Sequence, residues 1–294
     1  MQNTKIQDLL EYSIVNINKP QGPTSHQVSD FIKRIFEIEK AGHSGTLDPN
    51  VTGVLPIALG RATRIVQVLL KAGKEYTGLM RIHKDTDEAK INEAVKIFVG
   101  KIKQLPPVRS AVKRQFRERE VYELEILEIS GKNVLFRIRC EAGFYVRKFC
   151  YEFGKALGTQ ANMFQLVRTR VGAFTDRNWV TLHDLKDAYE FYKEGDESRL
   201  RQILMPIETA VEHVPKVWAD DKFVKGLCHG IDLYIDGTAK NTPFKKDETV
   251  AVMASNNKLI CLGTARINSD DIKTSGQRDK VVKVKKVFTN KNRE

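Results

Sequence analysis

The chain has 294 residues, 41% hydrophobic and 8% aromatic, so it can bury a substantial core and is not intrinsically disordered. Its 49 Lys and Arg outnumber 37 Asp and Glu, which gives a net charge of +12. A field of that sign favours a polyanionic partner, either nucleic acid or an anionic membrane surface.

The membrane alternative is disfavoured because no apolar run approaches the roughly 18–20 residues of a spanning helix. The N-terminal segment 1–13 lacks the basic and then apolar layout of a signal peptide. The four cysteines form no CxxC pair, and their spacing indicates neither a zinc site nor a disulfide framework. We therefore expect reduced cysteines in a cytoplasmic protein.

The first part of the chain predicts a strand, a helix, a loop and a second helix. Residues 12–18 alternate as a strand does. Thr24 followed by Gln27 is a capping-box pattern, and the helix that it opens carries apolar residues at helical spacing. Residues 42–53 contain three Gly and one Pro and are expected to form a loop, whereas 62–72 are expected to form a helix that ends at Gly73.

The middle of the chain mixes strands, hairpins and helices. We expect strands at 74–83 and 163–174, a hairpin of 121–129 with 134–140, and helices at 88–99, 143–158 and 183–204. Because strands and helices do not alternate regularly, the pattern indicates the α+β class with a mainly antiparallel sheet.

The C-terminal part has a different character. Two prolines bracket a predicted linker at 206–214, and turns rich in Gly, Asn and Lys then separate predicted strands at 249–254, 258–267 and 280–288. This spacing predicts a small, mostly β, barrel-like domain of about 75 residues.

Missing motifs disfavour several enzyme classes. The chain has no GxxxxGK[ST] phosphate loop and no GxSxG nucleophile elbow, and its six His form no HExxH pattern. Cys228 and His229 are adjacent but have no further ligand nearby in sequence, so we interpret them as core packing or a turn and not as a metal site.

Three clusters remain as candidates for function. Asp48 lies in a glycine-rich loop where Pro49 favours an extended backbone; such a carboxylate can be a nucleophile, a base or a ligand, although Asp-Pro also occurs in plain turns. Arg147 lies off the apolar stripe of its helix and is either a partner for an Asp or a surface charge. Residues 101–120 carry seven Lys or Arg against two Glu, which suits a nucleic-acid clamp or a solvated charge run.

Five ordered motifs closely resemble those of the TruB/dyskerin family of RNA pseudouridine synthases. They are KPQGPTS at 19–25, GHSGTLDP with its continuation at 42–64, KEY at 74–76, GFYVR at 143–147 and LVRTR at 166–170. The resemblance covers about 15–289, and Phe144 stands where the family usually has Thr. The details of 44–48 and 106–114 resemble the dyskerin branch more than the bacterial tRNA enzymes, and the sequence lacks the long lysine-rich tails of the eukaryotic members. It therefore resembles the archaeal catalytic subunits of H/ACA guide-RNA particles, which are also described as tRNA synthases acting on the T-loop uridine.

The resemblance implies a pseudouridine synthase fold over 1–213, with a mixed, mainly antiparallel sheet and a thumb loop at about 103–118. It implies an RNA-binding PUA β-barrel over 214–289 and a tail at 290–294. The implied activity is isomerisation of uridine to pseudouridine in rRNA and tRNA, with no cofactor and no metal.

The resemblance also implies roles for individual residues. Asp48 would be the catalytic carboxylate, Arg147 its partner, and Tyr76 the group that stacks on the flipped uracil and helps to remove its C5 proton. Contacts to substrate or RNA, or support of the pocket, would come from a wider set of side chains: Lys19, His43, Arg61, Arg109, Lys113, Arg114, Tyr145 and Arg168.

Expected partners are guide RNA, rRNA and tRNA, a small zinc-ribbon protein, a Gar-type barrel protein and a kink-turn-binding ribosomal-type protein. Three other functions stay open at this point: a stand-alone tRNA synthase, a non-catalytic RNA-binding scaffold and a DNA-binding regulator. Retention of Asp48, Tyr76 and Arg147 disfavours the scaffold, and the lack of helix-turn-helix or zinc-finger spacing disfavours the DNA-binding regulator.

Overall fold

The structure is a computed structural model that describes residues 5–106, 113–274 and 276–288. In this part of the chain the strands form two sheets, one of ten strands and one of six. The large sheet is mixed and mainly antiparallel, which confirms the predicted α+β class.

The elements that build and flank the large sheet run from the N-terminus to residue 206. They are α1 (Ile6–Tyr12), β1 (Ser13–Lys19), α2 (Ser25–Phe36), β2 (Ala41–His43), β3 (Thr52–Leu59), α3 (Val66–Lys71), β4 (Lys74–Ile82), α4 (Glu88–Ile97), β5 (Gly100–Gln104), β6 (Arg117–Ser130), β7 (Asn133–Cys140), α5 (Val146–Ala156), β8 (Ala161–Val171), β9 (Phe174–Thr175), α6 (Leu182–Lys193), α7 (Ser198–Ile203) and β10 (Met205–Pro206). The strand order is β10-β1-β3-β8-β4-β7-β6-β5, with β2 beside β3 and β9 beside β8.

Local sequence signals explain several of these elements. Thr24 and Gln27 form the predicted capping box at the start of α2, and Val28, Ile32 and Phe36 are buried on one face of this helix. At the end of α5, Gly158 has φ +70°, the left-handed conformation that commonly ends a helix. The predicted strands at 12–18 and 74–83 are confirmed as β1 and β4.

The predicted helix at 62–72 differs from the observed one at both ends. It begins as a 3₁₀ segment (Gly60–Ile65), and α3 ends at Lys71. The residue that caps it is Ala72, which is extended, so the prediction of Gly73 as the cap is wrong. The Nζ of Lys74 donates hydrogen bonds to the carbonyl oxygens of Leu70 and Ala72 at 3.1 and 2.8 Å. A cation satisfies the last carbonyls here, so no left-handed glycine is required.

The smaller sheet belongs to the C-terminal part of the chain. Its elements are β11 (Lys216–Ala219), α8 (Asp221–Cys228), β12 (Leu233–Tyr234), β13 (Thr238–Asn241), β14 (Thr249–Met253), β15 (Leu259–Ala265) and β16 (Lys280–Val287). The order is β12-β16-β15-β14-β11-β13, and the three longest of these strands are those predicted from sequence. The prediction missed α8, whose eight residues follow β11 after a short turn.

The segment predicted as a linker at 206–214 is packed. It contains a 3₁₀ segment (Ile207–Val211), and Ile207 and Val211 are buried. They share one apolar cluster with Phe174 of the large sheet and with Met253 of the small sheet. Pro206 ends β10 and Pro215 directly precedes β11, so the two prolines mark element boundaries as predicted. Their positions do not indicate whether the segment between them is buried.

A short parallel pairing joins the two halves of the large sheet. The register pairs Thr52 of β3 with Val167 of β8, and Gly53 with Arg168. Gly53 has φ +109°, and a Cβ at this position would lie 2.2 Å from the backbone oxygen of Arg168. The two halves therefore approach this closely because the residue is glycine.

Candidate active site

The loop between β2 and β3, residues 44–51, carries Asp48 and is hydrogen-bonded to the 19–25 segment. The backbone N–H of Leu47 donates to Ser25 Oγ at 2.9 Å, and the Gly22 N–H donates to the carbonyl of Pro49 at 2.9 Å. The N–H of Val51 donates to the Asp48 carbonyl at 3.0 Å and closes a turn. Two segments that are separate in sequence thus form one rigid unit.

Apolar side chains fix the direction of this loop. Leu47 and Val51 are buried in the same cluster as Tyr76 of β4 and Val146 of α5. Asp48 directly follows Leu47 in the turn and points outward, and 54% of its side chain is exposed. Because Leu47 and Val51 anchor the loop in the core, the Asp48 carboxylate between them is held at the protein surface, in contact with solvent.

Lys19, at the end of β1, lies beneath the loop with a side chain that is 0% exposed. Its Nζ donates to the carbonyl oxygens of Pro20 at 2.8 Å and Pro49 at 3.2 Å. Burial and the nearby Arg168 lower the pKa of Lys19, and the Asp48 carboxylate opposes that shift. These bonds hold the loop and leave the ammonium inaccessible to an RNA phosphate.

Arg168, on β8, supports the other side of the loop and is 1% exposed. Its Nε donates to the Val54 carbonyl at 2.8 Å and its Nη2 to the Gly45 carbonyl at 3.3 Å. Burial lowers the pKa of this guanidinium, whereas its interaction with the Tyr76 phenol opposes the shift. Like Lys19, Arg168 holds backbone carbonyls in and beside the loop, and its side chain is too buried to contact RNA.

Arg147 reaches Asp48 from the first turn of α5, although the two residues are 99 positions apart in sequence. Its Nη2 donates to Asp48 Oδ2, and 64% of the Arg147 side chain is exposed. A charge-assisted bond of this kind orients a carboxylate while leaving its second oxygen available. The predicted pairing of Arg147 with an Asp is therefore present.

Tyr76 lies on β4 opposite Arg168 in the register of β4 and β8. It is 8% exposed, and burial raises the pKa of its phenol, while the Arg168 guanidinium opposes the rise. The ring is thus a neutral phenol at pH 7, in the same apolar cluster as the residues that flank Asp48.

His43 ends β2 on the N-terminal side of the loop. Burial lowers the pKa of His43, and the nearby Arg168 guanidinium lowers it further. The Gly45 N–H donates to His43 Nδ1 at 3.4 Å, so the ring is neutral with its proton on Nε2. This arrangement fits a structural role in the loop as well as donation of a hydrogen bond to a ligand.

The remaining predicted site residues are dispersed. Tyr145 is the residue before α5 and is half-buried. Arg61 lies beyond the opposite end of β3 from Asp48, where it bonds Tyr12 Oη at 3.2 Å. Lys113 and Arg114 are exposed ahead of β6, and Arg109, like the rest of 107–112, lies outside the described residues.

The hairpin predicted as a thumb loop at about 103–118 is built on β5 and β6. Residues 100–104 pair with 117–121 in antiparallel register. The sequence prediction missed Gln104, the last paired residue of β5 before the loop, whose side chain bonds the backbone of Tyr145. Its only sequence signal is its position just before Leu105 and Pro106.

Phe144, which replaces the family's usual Thr, is accommodated by local packing. It is 7% exposed, and its ring centroid lies 6.2 Å from that of Phe149. The aromatic side chain extends the apolar cluster beneath α5 and leaves Arg147 directed at Asp48.

Three further observations concern ligands and membranes. Within residues 5–106, 113–274 and 276–288, no group of three or more His, Cys, Asp or Glu side chains is placed to hold a metal ion. None of the four cysteines, all within the described residues, forms a disulfide bond. No helix in this described portion is both long and apolar enough to cross a membrane.

Comparison with known families matches nearly the whole chain. The TruB family pseudouridylate synthase (N terminal domain) matches residues 33–146, the tRNA pseudouridylate synthase B C-terminal domain matches 147–212, and the PUA domain matches 215–288. The chain belongs to the TruB family of pseudouridine synthases. It is therefore an isomerase that acts on RNA, as the motifs predicted.

Curated relatives agree with this assignment. A probable tRNA pseudouridine synthase B from Methanothermobacter thermautotrophicus is 49% identical over 95% of this chain and 86% of the relative. A protein of the same description from Pyrococcus abyssi is 50% identical over 95% of this chain and 84% of the relative.

Solved structures extend the similarity to the three-dimensional fold of the synthase. A chain from a Cbf5-Nop10-Gar1 complex superimposes with a TM-score of 0.95 and 47% identity, covering 98% of this synthase and 88% of that chain. A chain from an H/ACA ribonucleoprotein bound to a substrate RNA containing 2′-deoxyuridine gives a TM-score of 0.92 and 45% identity, covering 99% and 89%.

Proposed function

We propose that this synthase converts uridine to pseudouridine in rRNA and tRNA with Asp48 as its catalytic carboxylate. The observation that carries the proposal is the exposed Asp48 carboxylate, which Arg147 holds and whose neighbours Leu47 and Val51 are buried in one cluster with Tyr76. A carboxylate fixed in this way can act on a nucleotide that enters from solvent.

The reaction moves one bond within a nucleotide. The N1–C1′ bond breaks, the uracil rotates, a C5–C1′ bond forms, and a proton leaves C5 while N1 gains one. Because the reacting atoms are shielded inside a helix, the nucleotide must first be extruded from its stack. Asp48 then acts at C1′ or at C6, and the hydrogen bond from Arg147 keeps the carboxylate oriented.

Tyr76 is proposed to stack on the extruded uracil and to assist removal of the C5 proton. Its neutral phenol suits stacking. Proton removal needs the phenolate, which burial, the larger effect on the pKa of Tyr76, disfavours and which the Arg168 guanidinium favours. Lys19 and Arg168 would act through the loop that they hold, because both are buried. His43 would present its Nε2 proton to the RNA beside the extruded nucleotide.

RNA binding beyond the pocket is proposed to use the basic surface of the chain, whose net charge is +12. Lys113 and Arg114 are exposed next to the β5–β6 hairpin, and Arg61 is 63% exposed. The PUA domain at 214–289 would bind guide RNA or tRNA through phosphates and stacking.

We further propose that the synthase is the catalytic subunit of a cytoplasmic H/ACA guide-RNA particle. Support comes from its similarity along 98–99% of its length to chains in the Cbf5-Nop10-Gar1 complex and in the RNA-bound ribonucleoprotein. The partners would be guide RNA, a small zinc-ribbon protein, a Gar-type barrel protein and a kink-turn-binding ribosomal-type protein. The similarity to probable tRNA pseudouridine synthase B favours a second activity, guide-independent modification of the tRNA T loop.

Substitution of Asp48 by Asn tests the catalytic assignment, because it preserves shape and removes the charge. Asp48→Asn is expected to bind a T-loop transcript as the parent does and to form no pseudouridine. Asp30→Asn is the matched control, since Asp30 is also an ion-paired surface carboxylate but lies on α2. Turnover by Asp48→Asn near the parent rate would refute the assignment.

Mapping of modified positions separates the two proposed settings. The purified chain is assayed alone on a tRNA transcript, and then on a guided target with guide RNA and partner proteins. Product in the tRNA assay alone supports the stand-alone activity, whereas product that depends on guide RNA supports the particle.

A further inference from the structure

Gln104 makes an unusual contact where β5 and β6 stop pairing and the predicted thumb loop begins. It is the last residue of β5, the edge strand of the large sheet, and it is 4% exposed. Its Oε1 accepts the N–H of Tyr145 at 2.9 Å, and its Nε2 donates to the carbonyl of Tyr145 at 3.2 Å. One side-chain amide thus holds both polar groups of one backbone residue.

That residue is the start of the helix that carries Arg147. Tyr145 is the N-cap of α5, and its own side chain makes no capping hydrogen bond to the first turn. The N-cap of a helix usually offers a Ser, Thr, Asp or Asn oxygen to the first turn. At α5, the orientation of the first peptide is instead set by an amide from another strand.

The residue that Gln104 holds, Tyr145, is close in sequence to the active-site residue Arg147. Arg147 follows Tyr145 by two residues in the same helical turn, and its guanidinium bonds Asp48. Val146 and Phe149 are buried and fix α5 against the sheet, but the Arg147 side chain itself is 64% exposed. An exposed side chain keeps its direction only if the backbone that carries it is fixed.

We propose that Gln104 is a positioning residue for the isomerisation, acting through Tyr145 and α5 to hold Arg147 against the Asp48 carboxylate. This inference rests on the proposed role of Asp48. Gln104 touches neither Asp48 nor Arg147 by any of the bonds described, so its effect on chemistry passes through the α5 N-terminus.

The test uses Gln104→Met in the full chain, because Met keeps the length of the side chain and removes both hydrogen bonds. We expect the single-turnover rate on a T-loop transcript to fall by about 10- to 100-fold, the range for a displaced catalytic group, with little change in RNA affinity. Gln104→Glu keeps the acceptor for the Tyr145 N–H and is expected to lose less rate, so it provides a second variant if Gln104→Met folds poorly.

A double-mutant cycle separates positioning from general destabilisation. If Gln104 acts through Arg147, Gln104→Met is expected to add no further loss of rate in an Arg147→Lys background. The matched control is Asn16→Leu: Asn16 is a buried amide of β1 that bonds Thr175 and Asn178, away from α5. It is expected to lower stability without changing the rate of the folded fraction.

The outcomes are distinguishable from failure of the proposed function. If the parent chain, Asp30→Asn and Asp48→Asn all form pseudouridine, the proposed role of Asp48 is wrong. If Asp48→Asn is inactive while Gln104→Met reacts at the parent rate, the positioning role fails. An equal loss from Gln104→Met with and without Arg147 would also overturn it.

Discussion

Replacement of Gly53 by Ala tests the junction on which the active site is built. Asp48 comes from the half of the large sheet that contains β3, whereas Tyr76 and Arg168 come from the half that contains β8 and β4. The two halves meet where Gly53 pairs with Arg168. A wider separation at this pair would move the carboxylate away from the other groups.

The structure sets the size of the disturbance. A Cβ on Gly53 would lie 2.2 Å from the Arg168 oxygen and 2.7 Å from its nitrogen, and such contacts must open to at least 3.0 Å. The positive φ costs an L-residue about 1–2 kcal/mol, and overpacking costs about 1–3 kcal/mol more. We expect Gly53→Ala to lower the free energy of unfolding by about 2–5 kcal/mol, and the rate by roughly 100-fold for a displacement near 1 Å.

Chemical denaturation and single-turnover assays on a T-loop transcript measure these two effects. The control is Gly131→Ala in the β6–β7 turn, where φ is +55° but a Cβ would meet nothing within 4 Å. It is expected to cost about 1 kcal/mol and to leave the rate unchanged. Parent-like activity in Gly53→Ala, or equal losses in both variants, would refute the reasoning.

Two further predictions concern titratable groups. Tyr76→Phe keeps the stacking ring and removes the phenol, so it is expected to slow pseudouridine formation more than it weakens RNA binding; an effect confined to affinity would exclude proton transfer by Tyr76. Burial raises the pKa of Cys150 from 9.0 to about 12, so above pH 9 the unfolded chain loses a proton that the folded chain keeps, and stability falls as pH rises. Between about pH 8 and about pH 10.5, the free energy of unfolding of Cys150→Ala is therefore expected to fall by about 2 kcal/mol less than that of the parent, as measured by denaturant titrations. If the two proteins lose the same stability over this pH range, the linkage is contradicted.

Much of the secondary structure follows from patterns that are local in sequence. Alternation gave β1 and β4, and a capping box with a helical apolar stripe gave α2. Such signals are readable because neighbouring residues on one strand or helix face share one environment. They failed for the 206–214 segment because the contacts that bury it, with both sheets, are distant in sequence. At the end of α3 the deciding contact is local, but it is made by a side chain: Lys74 bonds the Ala72 carbonyl in place of a glycine cap, and no apolar pattern marks such a bond.

The sequence by itself determined the family and the candidate carboxylate, because the order and spacing of five motifs are specific. It left Arg147 as either a partner of Asp48 or a surface charge, and it left Lys19 and Arg168 between pocket support and phosphate contact. Tertiary structure decided these alternatives by bringing Arg147 to Asp48 and by burying both Lys19 and Arg168 against backbone carbonyls. Burial and pairing are properties of packing between distant segments, which no local pattern encodes.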